Sequence, residues 1–158
     1  MADERKNLNY GGDRKYFKEN NKGEPFRLPP GYLQNGYYSD GEKRKLKKEY
    51  IVDYPRKLAD LFDKDGGKDT NKRSQIRKFY EYILRVENKM RLQGNDFSLI
   101  EADLSELMPY VLYAGQRRVV SKLFIDFIES NVKEIRDEKD LKAFTKHFEA
   151  IVAFTKKD

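Results

Sequence analysis

Along the stretch from Thr70 to Arg91, the apolar residues Ile76, Phe79, Tyr80, Ile83, Val86 and Met90 recur at intervals of three and four. That spacing fits one face of an α-helix and no β-strand. Arg73, Arg77, Lys78, Arg85 and Lys89 fall mostly on the other face, with the cations crowded into the first two turns. Asp69 or Thr70 is placed to cap the start and Gly66-Gly67 breaks any earlier helix, so the helix is expected to begin near Asn71 and to end before Gly94. The same period returns elsewhere. Leu58, Leu61 and Phe62 give a helix over about 55–64, capped by Asp53, with Pro55 tolerated in the first turn. Residues 43–52 read as a helical lead-in. A third helix starts at Asn95 or Asp96, or at Ser98 with Glu101 as a capping box, is interrupted by Pro109 and stops at Gly115. A fourth runs from about Gln116 to Ile135, and a last one, capped by Asp137 or Asp140, carries Leu141, Phe144, Phe148, Ile151 and Val152. No stretch alternates, so the expected fold is all-α: one bundle of about five helices over residues 45–158.

Residues 1–44 are different. Nine Gly and Pro residues are scattered among Asn, Lys and Asp with no apolar period, and such a chain on its own buries too little to offset its conformational entropy. A long flexible N-terminal arm is expected. Its aromatics, Tyr10, Tyr16, Phe17, Phe26, Tyr32, Tyr37 and Tyr38, alternate with Arg14, Lys15, Lys18, Lys22 and Arg27, a pattern able to stack on bases or dock on a partner.

Composition narrows the function. With no cysteine and one histidine, thiolate chemistry is absent and a zinc centre lacks ligands, so neither a metal nor a cofactor is expected. No apolar run reaches membrane-span length and the N-terminus lacks a signal-peptide core, which points to a cytoplasmic protein. The formal charge of +6 favours polyanionic partners. A hydrolase needs a nucleophile with a base or a metal, and a nucleotide-binding loop needs more than Gly66-Gly67. His147, with no second catalytic group, reads as a structural histidine. These absences exclude a small-molecule substrate and make an enzyme the weakest reading. A helical adaptor presenting its basic surface to acidic protein partners is the alternative.

Three segments carry a resemblance. Thr70, Ser74, Ile76 and Arg77 in TNKRSQIRKFY, Tyr113, Ala114, Gly115 and Arg117 in YAGQRR, and Phe148, Glu149, Ala150, Val152 and Ala153 in HFEAIVAF are similar to the signature segments of the small helical subunit of the type III-A CRISPR Csm effector complex. Gln116 stands between the glycine and the first arginine, so Arg117 and Arg118 are both candidates for the motif arginine. The resemblance implies a non-catalytic subunit in antiviral defence. It implies stacking in several copies, with self-association between them, beside the backbone and large subunits, along the groove that holds the guide (crRNA) and target RNA.

The residues support an RNA-facing patch independently. Two expected helix N-termini, at Asn71 and near Gln116, carry cations in their first turns, which adds free amides and the positive dipole end to the charges. Arg77, Arg117, Arg73, Lys78, Arg118 and Lys122 are therefore the expected RNA-binding residues, contacting phosphates without reading bases. The competing reading gives Arg77 and Arg117 structural ion pairs, with Glu81 and with acids of the neighbouring helix. Glu149 reads as a packing or pairing residue.

Overall fold

The computed structural model describes residues 23–156, and the chain is all-α. Among the described residues six α-helices follow one another: α1 (Asp53–Asp65), α2 (Arg73–Leu92), α3 (Glu101–Ser105), α4 (Leu107–Gln116), α5 (Lys122–Glu134) and α6 (Glu138–Phe154), with short 3-10 turns at Lys48–Tyr50 and Phe97–Leu99. Among the described residues there is no strand, and Tyr38 and Leu46 form an isolated bridge.

Helix α6 lies at the centre, packed on α1 and α2, while α5 packs on α1 and α4. The apolar period explains the arrangement: Ile76, Ile83, Val86 and Met90 on α2 are buried, as are Leu141, Phe144, Phe148, Ile151 and Val152 on α6. At the junction of α1, α5 and α6, Phe62, Phe124, Phe127, Phe144 and Phe148 form one ring cluster. Its centroids stand 5.3 Å apart for Phe62 and Phe124 and 5.3 Å for Phe127 and Phe148, both edge to face. Such geometry adds about 0.5–1.5 kcal/mol per pair to the burial itself.

Helix ends differ from expectation where other groups satisfy the backbone better. Asp53 is the first residue of α1, not its cap. The third helix is broken, with Asp96 accepting from Ser98 N in a 3-10 turn before α3. Pro109 does not interrupt it. The break falls at Glu106, and Pro109 occupies the first turn of α4, where its missing amide costs nothing. Gly115 lies inside α4, not beyond its end. Of the lead-in over 43–52, only Lys48–Tyr50 is helical. Asp137 caps α6 as expected, its side chain accepting from Asp140 N.

The part of the arm lying in residues 1–22, with Tyr10, Tyr16 and Phe17, is outside the described residues. From Gly23 onward the chain lies along the bundle and adds aromatics to its core. Tyr37 is 1% exposed and its hydroxyl donates to Asn131 Oδ1 at 2.7 Å. The Tyr32 hydroxyl accepts from Asn131 Nδ2 at 2.9 Å and lies 2.7 Å from His147 Nε2. The other ring nitrogen, Nδ1, lies 2.7 Å from the Tyr50 carbonyl. A neutral imidazole protonated at Nδ1 satisfies every partner: it donates to Tyr50 and accepts from Tyr32. Lys43 seals the end of this segment onto α6, its ammonium 2.6 Å from Asp137 and 3.0 Å from Asp140.

His147 is thus structural. Burial, partly opposed by the hydrogen bond to Tyr50, lowers its pKa from 6.5 to about 4. Between those values the unfolded chain binds a proton that the folded one refuses, so stability is complete above pH 6.5 and falls as the pH drops towards 4. The full effect is on the order of 3 kcal/mol. Urea unfolding at a series of pH values should show this loss, and His147→Gln, which cannot titrate, should flatten it. An unchanged slope in the variant would assign the acid sensitivity to the carboxylates alone.

Candidate nucleic-acid interface

The loop before α2 and the loop before α5 are sewn together by one buried side chain. Asn71 is 7% exposed and adopts a left-handed conformation, φ 57°. Its amide nitrogen Nδ2 donates to the Phe62 carbonyl at 3.0 Å and to Ser121 Oγ at 2.8 Å, and its Oδ1 accepts from Ser121 N at 2.9 Å. The Asn71 backbone N–H donates to the Val119 carbonyl at 3.0 Å, and Thr70 Oγ1 donates to the Arg118 carbonyl at 2.8 Å. Gly66 makes room for this knot: a Cβ there would meet the Thr70 carbonyl oxygen at 2.5 Å.

Because Thr70 and Asn71 are committed to the opposite loop, neither caps α2. The helix begins at Arg73, two residues later than expected, with no side-chain cap and no acid in its first turn. No helix starts near Gln116; α4 ends there, and α5 starts at Lys122 with Ser121 as its cap, accepting from Phe124 N at 3.3 Å. Arg117 and Arg118 are therefore not first-turn residues but form the C-terminal turn of α4. Arg118 N donates to the Gly115 carbonyl at 2.9 Å and Val119 N to the Ala114 carbonyl at 3.1 Å. That pair of bonds is the Schellman closure, which normally places glycine where Arg118 stands at φ 62°. A non-glycine residue held there costs about 1–2 kcal/mol.

Each expected RNA-binding residue has a distinct surrounding. Arg73 lines a cavity of about 170 Å³ with Lys68, Lys72 and Lys156, and its buried Nε has no hydrogen-bond partner among the described residues. Arg77 is exposed and pairs with Glu81 at 3.1 Å, as the competing reading has it. Arg117 forms no ion pair among the described residues and stands instead over the Tyr113 ring, 5.7 Å from its centroid. Lys78 is exposed, and Lys122, at the first position of α5, pairs with Asp126 at 2.9 Å. The loop bonds tie the start of α2, with Arg73, to the turn that holds Arg117 and Arg118 and to the start of α5, with Lys122.

Sequence reasoning missed Asn71 and Ser121 as the residues that join these loops. The signal was present in part, since Asn tolerates a left-handed backbone and Ser caps helices. Glu149 is exposed rather than packed. Among the described residues no group of three or more His, Asp or Glu side chains could hold a metal ion, and no helix is long and apolar enough to cross a membrane.

A family model described as Csm2 Type III-A covers residues 45–157. No curated protein and no solved structure matches the chain.

Two substitutions separate folding from surface charge. Asn71→Ala strands buried donors and acceptors on both loops and should lower unfolding free energy on the order of 3 kcal/mol in urea melts. Arg118→Gly relieves the left-handed backbone, so stability should be unchanged or higher despite the lost side chain. A strongly destabilised glycine variant would contradict the account of that turn.

Proposed function

The chain belongs to the Csm2 family, and from that premise we propose that it acts as a non-catalytic, RNA-binding member of the type III-A CRISPR complex, holding guide and target RNA by the phosphate backbone. Family membership makes it a structural subunit of that complex, associated with other Csm subunits. RNA contact is our own reading, and the joined loops carry it. Hydrogen bonds between Thr70–Asn71 and Arg118–Ser121 hold the starts of two helices and a cationic turn in fixed relation, so the backbone that carries these charges needs no ordering when a phosphodiester strand arrives.

The chemistry at each point suits phosphate. At α2 the uncapped first turn offers backbone amides and the positive end of a 20-residue helix dipole. Arg73 lines the cavity at this helix start with Lys68, Lys72 and Lys156, a cluster of cations that suits a phosphate. The pairs Arg77–Glu81 and Lys122–Asp126 are partly to largely exposed, and pairs of this i,i+4 kind contribute roughly 0.3–0.5 kcal/mol. Exchanging their carboxylates for a phosphate therefore costs little. Lysines and arginines that grip the backbone leave base identity to the guide–target pairing.

Copies of the chain stack along the RNA in this proposal, in the cytoplasm, where such complexes meet foreign nucleic acid. Ile51, Val52 and Phe154 are exposed, and Arg56 lies over the Phe154 ring at 5.3 Å. They supply exposed apolar groups beside α1 and on α6 for contact between copies. Stacking adds avidity, so a single subunit need bind only weakly.

Salt titration tests the phosphate contacts. Log affinity for unrelated single-stranded RNAs should fall with log salt at a slope of about −0.7 for each phosphate contacted. Replacing Arg77 and Lys78 together with Ala should flatten that slope by about 1.4, two contacts' worth. A slope unchanged in the double variant, or strong preference for one base sequence, would remove these residues from the interface.

A further inference from the structure

We propose that Tyr113, braced by Arg117, is a stacking platform for an unpaired nucleobase of single-stranded RNA. The inference rests on the RNA-binding reading above and adds a base contact to its phosphate contacts. Tyr113 is 61% exposed on the outer side of α4. Its hydroxyl makes no hydrogen bond among the described residues. The neighbouring tyrosines are held otherwise: the Tyr82 hydroxyl donates to the Asp103 carbonyl at 2.7 Å, and the Tyr110 ring stands edge-on to Tyr82 at 5.4 Å. The guanidinium of Arg117, one helical turn on, braces the Tyr113 ring.

Charge selects the occupant. Arg117 has no carboxylate partner among the described residues, and the Arg118 backbone beside it is bonded to the loop that leads into α2. Covering the ring with a second copy of a chain of formal charge +6 would take an uncompensated cation out of water, which is costly. A nucleotide brings the opposite charge. Its base lies on the aromatic face while its phosphates meet the guanidinium, the combination by which single-stranded nucleic acid is held without sequence preference.

The test compares full-length wild type with Tyr113→Phe, Tyr113→Leu and Tyr113→Ala, using oligoadenosine and an abasic ribose-phosphate oligomer of equal length, at low salt. Tyr113→Ala and Tyr113→Leu should weaken oligoadenosine binding roughly five- to hundred-fold, Tyr113→Phe should retain it, and none should alter binding of the abasic oligomer. The salt slope should stay unchanged in all three, because no phosphate contact is lost. Tyr113→Leu binding oligoadenosine as tightly as wild type overturns the inference. So does a Tyr113→Ala variant whose sedimentation mass falls while its affinity per subunit holds, which would assign the ring to contact between copies. If the Arg77 and Lys78 variant loses affinity and the Tyr113 variants do not, the stacking inference fails alone. If wild type binds neither oligomer, both readings fail.

Discussion

Asn71 makes both ends of its primary amide serve one purpose: the buried side chain bonds α1's last turn and the Ser121 cap, while its backbone holds Val119. Two loops distant in sequence become one piece of structure. Polar groups buried this deeply must be paired or they cost 1–3 kcal/mol each, so the knot is satisfied as a whole or not at all. The consequences run outward from it. Helix α2 loses its side-chain cap, Arg118 is drawn into a left-handed turn, and Ser121 starts α5 at Lys122.

Strain gathers at this place, though Leu33, Asn35, Lys43 and Asn95 are also left-handed and α1, α3 and α4 also start without a side-chain cap. An uncapped helix start without acids, an arginine where glycine is easier, and a guanidinium nitrogen buried without a partner are each mildly unfavourable to folding. They fall on or beside the same pair of loops. Stability comes from the core beneath them, where five phenylalanines interlock, Phe62 and Phe124 among them bonded through their backbones to Asn71 and Ser121, and where the His147–Tyr32–Asn131–Tyr37 network ties residues 32–37 to α5 and α6. Burial raises the pKa values of Tyr32 and Tyr37 well above their ordinary value, so both remain neutral hydrogen-bonding groups at any physiological pH.

Much of this was legible in the sequence, and the gaps have physical causes. Three- and four-residue apolar spacing located the long helices, because packing on α6 demands it. It did not locate their ends, which depend on whether a side chain caps locally or is taken by a distant partner. Arg117 and Arg118 illustrate this: they follow Gly115, a residue that usually stops a helix, yet α4 runs one residue past it and the true break comes at Arg118. The segment before residue 45 has no periodicity at all, since Tyr32, partly buried, and Tyr37, fully buried, are held by side-chain hydrogen bonds to residues about a hundred positions away. Such contacts leave no local trace. The basic residues were legible as types, and Arg77 with Glu81 shows why position alone did not settle their role: a surface arginine one turn from a glutamate pairs with it whether or not it also meets a phosphate.

The central claim is that the joined loops face RNA in the assembled complex. Ultraviolet cross-linking of the complex purified with its guide and bound target, followed by mass spectrometry of the attached peptides, tests it directly. The account expects nucleotide adducts on peptides spanning residues 68–78 and 113–122. Adducts confined to other surfaces of this subunit, such as the acidic α3, or their absence from it while other subunits are labelled, would contradict it.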